Sequence, residues 1–163
     1  MTWLSGSFVG INTYAYVGGS PLKYVDPLGL EKIILLPPND PNYPAAENTR
    51  DDPEVCLVIS HGSPQSVNHM NAKALHKFLK GKCKPKQPVK LDACRTGQGE
   101  DSIAEKLAKL RKTPVAAPDE RTWTTPWNTN FDNPYPPMSP DPKSNWNNVP
   151  DIRKPGTWRE FNP

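Results

Sequence analysis

VCLVISHG at residues 55–62 and PVKLDACRTG at residues 88–97 are the two stretches that decide the fold of this chain. The first begins as a continuous apolar, β-branched run, which is typical of a strand buried on both faces of a sheet. The second begins with residues 88–92, which predict the next strand. Both runs stop abruptly at a turn that contains glycine. The chain therefore carries two strands with closely similar endings.

The segments around these strands predict helices and further strands. Residues 67–80 place apolar side chains at three-and-four spacing, which predicts a helix. Asn68 or Asn71 is expected to cap its start, and Gly81 its end. Residues 101–112 predict a second amphipathic helix. Two short apolar runs predict additional strands, at residues 32–36 (KIILL) and residues 114–117 (PVAA).

The alternation of strands and helices predicts an α/β fold, with a small parallel sheet and covering helices. In such a fold, ligands and chemistry collect beyond the carboxyl ends of the strands. The 21 prolines concentrate in residues 37–53, predicted to form a loop, and in residues 114–163. Aromatic residues in that second segment follow no period, so we expect an irregular tail that is extended and wraps over the core, or is partly disordered. Residues 54–117 are the predicted packed core.

The net charge of +3 comes mostly from the lysines of residues 73–90. Binding to nucleic acid would require aromatics or arginines among these basic residues, and the stretch offers only Phe78. Lysines on the wet face of a helix explain the charge more simply, so no nucleic-acid partner is predicted. No apolar run approaches the ~20 residues that cross a bilayer. Residues 1–8 lack the pattern of a signal peptide.

The three cysteines, Cys56, Cys83 and Cys94, are an odd number without the spacing of a metal site. We expect no disulfide framework, no bound metal and no cofactor. Cys56 lies inside an apolar run and is expected to be buried and inert. Cys83 lies among lysines and is expected to be an exposed loop residue. Cys94, at the end of a strand, is the cysteine with a predicted chemical role.

His61 and Cys94 follow the ends of consecutive parallel strands, which lie about 4.8 Å apart in a sheet. A cysteine needs a nearby base or positive charge to form a thiolate near neutral pH, and His61 can supply it. Gly62 has no Cβ to obstruct its N–H, so this group and the N–H of Cys94 predict an oxyanion hole. Taken singly, a histidine or cysteine at such a position is usually structural. The joint pattern favours a cysteine hydrolase.

The two endings resemble those of caspase-like cysteine peptidases, in which one apolar block ends in His-Gly and a second in Ala-Cys or Ser-Cys. The order of His61 and Cys94 and their spacing of 33 residues fit that pattern. The resemblance covers residues 54–118. It implies that His61 is the general base and Cys94 the nucleophile of a peptidase.

Two residues beside Cys94 are candidates for binding substrate. Asp92 precedes Cys94 by two positions, so alternation along a strand points both the same way. It is expected either to line a pocket for a basic residue or to bind the substrate backbone. Arg95 opens a glycine-rich loop at residues 95–100, which lacks the Lys-Ser/Thr of a P-loop and is predicted to form a wall of the site.

Residues 12–30 (NTYAYVGGSPLKYVDPLGL) resemble the end of the core shell in Rhs/YD-repeat proteins, the large bacterial polymorphic toxins. In that family the motif PxxxxDPxGL marks the junction between a conserved shell and a variable C-terminal toxin. The resemblance implies a shell piece at residues 1–30, a toxin core at residues 31–120 and a tail at residues 121–163. The fixed positions of the motif are matched by Pro21, Asp26, Pro27, Gly29 and Leu30.

The same resemblance implies chemistry at the junction. The shell of Rhs proteins cuts itself after the leucine of the motif in an aspartate-dependent reaction. The corresponding bond here joins Leu30 to Glu31, and Asp26 matches one of the aspartates involved. The shell residues that complete this reaction are absent from the chain, so no self-cleavage is expected in isolation.

Together these patterns predict a toxin that acts as a cysteine peptidase on a protein in the cytoplasm of a target cell. Delivery as part of a larger secreted Rhs carrier is implied, with the Rhs shell and a cognate immunity protein as partners. Two alternatives stay open: a caspase-like binding module without catalysis, and a nucleotide-using, ADP-ribosylating toxin. The second is disfavoured because no Arg/Ser/Glu set at nucleotide-binding spacing is evident.

Overall fold

The computed structural model describes residues 32–123, 136–144 and 149–163. In chain order they form β1 (Ile33–Ile34), α1 (Tyr43–Asn48), β2 (Cys56–Ile59), β3 (Gly62–Ser63), β4 (Ser66–Val67), α2 (Ala72–Leu79), β5 (Val89–Asp92), α3 (Ile103–Arg111), β6 (Val115–Pro118), β7 (Met138–Pro140), β8 (Pro150–Pro155) and β9 (Trp158–Phe161). Within these ranges no helix is long and apolar enough to span a membrane.

The central sheet has the strand order β1-β2-β5-β6-β9. Its first four strands are parallel, and β9 runs antiparallel to β6. The prediction of an α/β fold built on a mostly parallel sheet is confirmed. Strands β1, β2 and β5 lie inside the apolar runs that predicted them, because apolar β-branched residues favour a strand that is covered by neighbours.

One face of the sheet packs against α2 and α3 and forms the main core. Val58 of β2 and Leu91 of β5 share one buried cluster with Leu75 of α2 and Leu107 of α3. All four side chains are fully buried. Burial of a side chain of this size contributes about 1.5–3 kcal/mol relative to exposure. This face, called the helix face below, is the main source of stability.

The opposite face carries a smaller cluster under α1. Leu57 and Ile59 alternate with the residues of the helix face along β2, so they project to this second side. They pack with Leu36, which follows β1, and with Ala46 of α1. We call this side the open face, because α1 is a helix of only six residues.

Helix α2 begins later than its apolar spacing predicted. The side chain of Asn71 accepts a hydrogen bond from the N–H of Ala74 at 3.0 Å, so Asn71 is the cap and the alternative, Asn68, is not. The residues before it pair as the short antiparallel hairpin β3–β4. Val67 of that hairpin is fully buried, which explains why its position fits the apolar pattern of the helix.

The prediction of a structureless loop at residues 37–53 is wrong in part, because α1 lies within it. Pro44 stands in the first turn of α1, where a missing N–H has no partner to lose. Ala46 is buried against the open face. A helix this short, flanked by prolines, has too few turns to show a period in the sequence.

The prediction of an irregular tail is also wrong for the described residues. Strands β7 and β8 pair with each other, and β9 joins the central sheet beside β6. Phe161 of β9 pairs with Val115 and is buried in the main cluster. The regular structure of the tail depends on pairing with other strands. A strand of four residues, such as β9, is too short to show a clear period in the sequence.

The two cysteines that we expected to be unpaired form a disulfide. Cys56 of β2 and Cys83, which follows α2, are bonded with their Cα atoms 5.5 Å apart. Both are buried, so the prediction of Cys83 as an exposed loop residue is wrong, as is that of an unpaired Cys56. The lysines beside Cys83 reach solvent while its own side chain turns toward the core. Of the three cysteines, Cys94 is the free one.

Candidate active site

The register of the sheet places His61 and Cys94 at equivalent positions. In the parallel pair β2–β5, Ile59 lies opposite Asp92. The ladder continues one step further, because the N–H of Ser60 donates to the carbonyl of Asp92 at 3.1 Å. His61 and Cys94 each stand two residues beyond the last paired positions. The two residues therefore leave adjacent strands at the same level of the sheet.

Gly62 holds the two strand endings in contact. A Cβ built on Gly62 would lie 2.7 Å from Cγ2 of Thr96, 2.9 Å from Cβ of Ala93 and 3.1 Å from the carbonyl oxygen of Cys94. The first two distances are shorter than real side chains tolerate. The turn that carries His61 is therefore packed directly on the turn that carries Cys94, and only glycine fits between them.

Cys94 lies half-buried beneath the segment that follows β6. Its Sγ is 3.7 Å from Oγ1 of Thr122 and 3.9 Å from the carbonyl oxygen of Thr122. In the described part of the chain, no acceptor is bonded to the backbone N–H of Cys94. The predicted oxyanion hole requires an N–H of this kind.

The turn after Cys94 is fixed by two other elements. Arg95 has a left-handed backbone (φ 59°), and its N–H donates to the carbonyl of Glu120 at 2.9 Å. Nη1 of Arg159, on β9, donates to the carbonyl of Gly97 at 2.7 Å and to that of Gly99 at 3.3 Å. The predicted wall of the site is thus anchored on both of its sides.

His61 contacts a carboxylate that sequence reasoning missed. Its Nε2 lies 2.5 Å from Oδ2 of Asp40, while 64% of the His61 side chain remains exposed. Oδ1 of Asp40 accepts the N–H of Asn42 at 2.8 Å. The Asn42 N–H and the contact with His61 hold the pKa of Asp40 below its ordinary value, although burial opposes the shift. Asp40 is therefore an anion beside the His61 ring.

Asp92 points the same way as Cys94 but its carboxyl group is surrounded by protein. Burial raises the pKa of Asp92, while the charge of Lys90 and a hydrogen bond from Thr122 act in the opposite direction. Thr122 thus touches both Asp92 and the sulfur of Cys94. A proton on this carboxyl group would let it donate a hydrogen bond.

Arg95 follows Cys94, and its Nε is buried. That atom has no hydrogen-bond partner within residues 32–123, 136–144 and 149–163. Those same ranges contain no group of three or more His, Cys, Asp or Glu side chains that could hold a metal ion. The register of β2 and β5 and the contacts of Gly62 place the turn of His61 against the turn that follows β5, which contains Cys94 and Arg95.

The junction residues Asp26, Leu30 and Glu31 lie outside the described residues. Two residues at the site were not predicted to belong to it: Thr122, which lies in the predicted tail, and Asp40. The rule that functional residues follow the carboxyl ends of parallel strands was applied to β2 and β5. Applied to β1, it could have found Asp40, because polar residues follow the end of that strand as well. Asp40 stands four residues after Leu36, the last residue of that predicted strand.

Comparisons with known proteins identify one family. No curated protein and no solved structure matches the chain. The family described as "Domain of unknown function (DUF8616)" matches residues 31–133, which is more than half of the chain. The chain belongs to the DUF8616 family.

Proposed function

We propose that this protein is a caspase-like cysteine peptidase and the toxin of an Rhs-type carrier. The observation that carries the peptidase is the equal register of His61 and Cys94, whose turns are packed together through Gly62. A base and a thiol on adjacent strand ends are what covalent acyl transfer requires. The free thiol of Cys94, in a chain whose other cysteines are bonded, suits the same role.

In the first step, His61 takes the proton from the thiol of Cys94. The thiolate attacks the carbonyl carbon of a peptide bond, so a C–S bond forms and the carbonyl oxygen becomes an oxyanion. The C–N bond then breaks, and protonated His61 gives its proton to the leaving amine. An acyl-enzyme on Cys94 remains.

In the second step, His61 takes a proton from water, and the resulting hydroxide attacks the acyl carbon. The C–S bond breaks, the new carboxylic acid leaves, and the proton returns to the sulfur of Cys94. Backbone N–H groups of Gly62 and Cys94 would hold the oxyanion in both steps. Every group in this cycle belongs to the protein, the peptide or water.

Asp92 and Arg95 are proposed to bind substrate. Two roles for Asp92 were left open by the sequence. Because burial raises the pKa of this carboxyl group, a hydrogen bond to the substrate backbone is better supported than an ion pair with a basic side chain. Arg95, whose Nε is buried and has no partner among the described residues, is proposed to donate a hydrogen bond to a carbonyl or carboxylate of the same peptide.

The proposed carrier is supported by the boundary of the family. The DUF8616 match begins at residue 31, immediately after the leucine of the junction motif. A domain that begins at this point is what a toxin following an Rhs shell requires. The proposal includes the Rhs shell and a cognate immunity protein as partners, and a protein in the cytoplasm of the target cell as substrate.

The test is toxicity combined with cysteine labelling. The chain is expressed inside bacteria as wild type, Cys94→Ala and His61→Ala, with His69→Ala as the control for loss of an exposed histidine. We expect growth arrest with the wild type and the control, and none with the two site variants. Iodoacetamide labels unreduced protein at Cys94 alone, because Cys56 and Cys83 are bonded. The labelling rate should fall at least about tenfold in His61→Ala.

If both site variants are folded and remain toxic, the proposal of a cysteine peptidase is wrong. A non-catalytic binding module would then be the better account. If both site variants lose toxicity but Cys94 is labelled at the same rate in His61→Ala as in the wild type, Cys94 matters for a contact rather than for catalysis.

A further inference from the structure

We propose that Asp40 is the positioning residue of the site, which fixes the ring of His61 so that Nδ1 is the atom that takes the proton from Cys94. The inference deepens the proposed peptidase and rests on it. A surface pair of histidine and aspartate would ordinarily contribute little, because solvent weakens such interactions. Three structural observations give this pair a more specific role.

The first observation is the order of the strand ends. Asp40 follows β1, His61 follows β2 and Cys94 follows β5, and these strands are neighbours in that order. Asp40 therefore approaches His61 from one side, while the turn of Cys94 is packed on the other side through Gly62. The order acid, base, nucleophile across three adjacent strands is the arrangement in which a carboxylate orients a catalytic histidine.

The second observation is that Asp40 is held in place without help from His61. Its N–H donates to the carbonyl of Pro37 at 2.9 Å, and its carbonyl accepts the N–H of Tyr43 at 3.0 Å. Its Oδ1 accepts the N–H of Asn42 at 2.8 Å. Only 9% of its side chain is exposed. The carboxylate is thus fixed by backbone bonds at the start of α1, with Oδ2 left to face the histidine.

The third observation is which nitrogen of His61 makes the contact. The carboxylate of Asp40 can only accept a hydrogen bond, so Nε2 must carry the proton. A neutral ring protonated at Nε2 has its free electron pair at Nδ1. When Nδ1 receives the proton from Cys94, the positive ring lies against the Asp40 anion, which stabilises the thiolate–imidazolium pair.

Asp40→Asn gives a sharp test because asparagine keeps the acceptor oxygen for Asn42 and replaces the other oxygen by a donor. The new amide would donate to Nε2 of His61 and force the proton onto Nδ1, which is the wrong tautomer. Asp40→Ala imposes no tautomer. The rate of Cys94 alkylation at pH 7 should therefore fall about tenfold or more in Asp40→Asn, and less in Asp40→Ala.

Asp52→Asn is the matched control. Asp52 lies in the same segment before β2, is exposed, and its Oδ1 accepts the N–H of Glu54 at 2.9 Å, as Asp40 does with Asn42. It has no histidine against it among the described residues. Its variant should alkylate at the wild-type rate. The full chain is used throughout, with circular dichroism to verify that each variant is folded.

A second readout follows the ring itself and does not depend on activity. The ¹⁵N chemical shifts of His61 should show a proton on Nε2 in the wild type and on Nδ1 in Asp40→Asn. A wild-type ring protonated on Nδ1, or an Asp40→Asn variant that alkylates as fast as wild type or faster than Asp40→Ala, would overturn the inference. If Cys94→Ala keeps full toxicity, the peptidase fails instead, while the ¹⁵N shifts still decide the contact between Asp40 and His61.

Discussion

The helix face and the open face of the central sheet divide the work of this protein between them. Ala93 belongs to the buried cluster under the helices, while Asp92 and Cys94 on either side of it do not. Ser60 is buried, and His61 after it is exposed. Alternation along a strand therefore turns each residue at the two endings either toward the main core or toward the open face. Substitutions on the two faces should separate stability from the proposed chemistry.

The largest effect is expected on the helix face. Leu107→Ala removes a fully buried side chain from the main cluster and should lower the free energy of unfolding by about 2–5 kcal/mol. Ile152→Ala is the control, since 79% of Ile152 is exposed, and should change it by no more than about 0.5 kcal/mol. Urea unfolding measures both. Equal values would mean that the cluster does not hold the fold.

The second-largest loss of stability is expected on removal of the disulfide, which lies on the helix face. The bond between Cys56 and Cys83 closes a segment of 27 residues, and removing such a link costs about 3.5 kcal/mol through the entropy of the unfolded chain. Cys83→Ala should therefore lower the free energy of unfolding by about that amount without reducing agent. Cys94→Ala, on the open side, should cost far less. A stability unchanged by dithiothreitol would contradict the expectation.

Gly62→Ala tests the close packing of the turn after β2 on the turn after β5. The added methyl group would press on Thr96 and Ala93, so the turn of His61 must move away from that of Cys94. We expect a cost of about 1–3 kcal/mol in unfolding free energy and loss of toxicity at a temperature where the protein is folded.

Gly81→Ala is the counterpart of that variant. Gly81 has a positive φ of 79° but open space around it, so alanine there costs roughly 1 kcal/mol from backbone strain alone. Its toxicity should persist. Toxicity that persists in Gly62→Ala as well would show that the spacing of the two turns is not critical.

The smallest expected effect is that of Asp92 on the free energy of unfolding, and this effect depends on pH. Burial raises its pKa above the ordinary 3.8, so the folded protein keeps a proton that the unfolded chain loses. Stability from this group is therefore full at low pH and declines as pH rises from about 3.8 through the folded pKa. In Asp92→Asn the decline is absent, so its stability relative to wild type should grow from pH 4 to pH 7. A constant difference in urea unfolding would show that the carboxyl group is hydrated.

The sequence was sufficient wherever the controlling interaction is local. The apolar run of β2 and the apolar spacing within Ala72–Leu79 of α2 each follow from neighbours within a few residues, although the start of α2 did not. The equal register of His61 and Cys94 on neighbouring strands followed from one further step, the rule that consecutive parallel strands end at the same edge. That rule requires only that the two strands are neighbours in the sheet, as β2 and β5 are.

Features that depend on distant partners were not predictable in the same way. Cys83 pairs with Cys56 across a helix, and nothing in the lysines around it indicates which way its sulfur turns. Phe161 becomes part of the sheet by pairing with Val115, which lies 46 residues earlier in the chain. The strand-end rule could have indicated Asp40 as a candidate, but its contact with Nε2 of His61 depends on how the turn after β1 is folded. Each of these requires the tertiary structure first.

The clamp of Arg159 on Gly97 has a consequence for the order of folding. It joins residues 62 apart, whereas β2 and β5 pair over a shorter span of chain. Contacts between distant residues form more slowly, because a longer loop must close first. We expect refolding to complete the helical core before the loop after Cys94 is locked. Circular dichroism should therefore recover ahead of the native alkylation rate, so that for a short time the protein would be folded while the loop after Cys94 is still free to move.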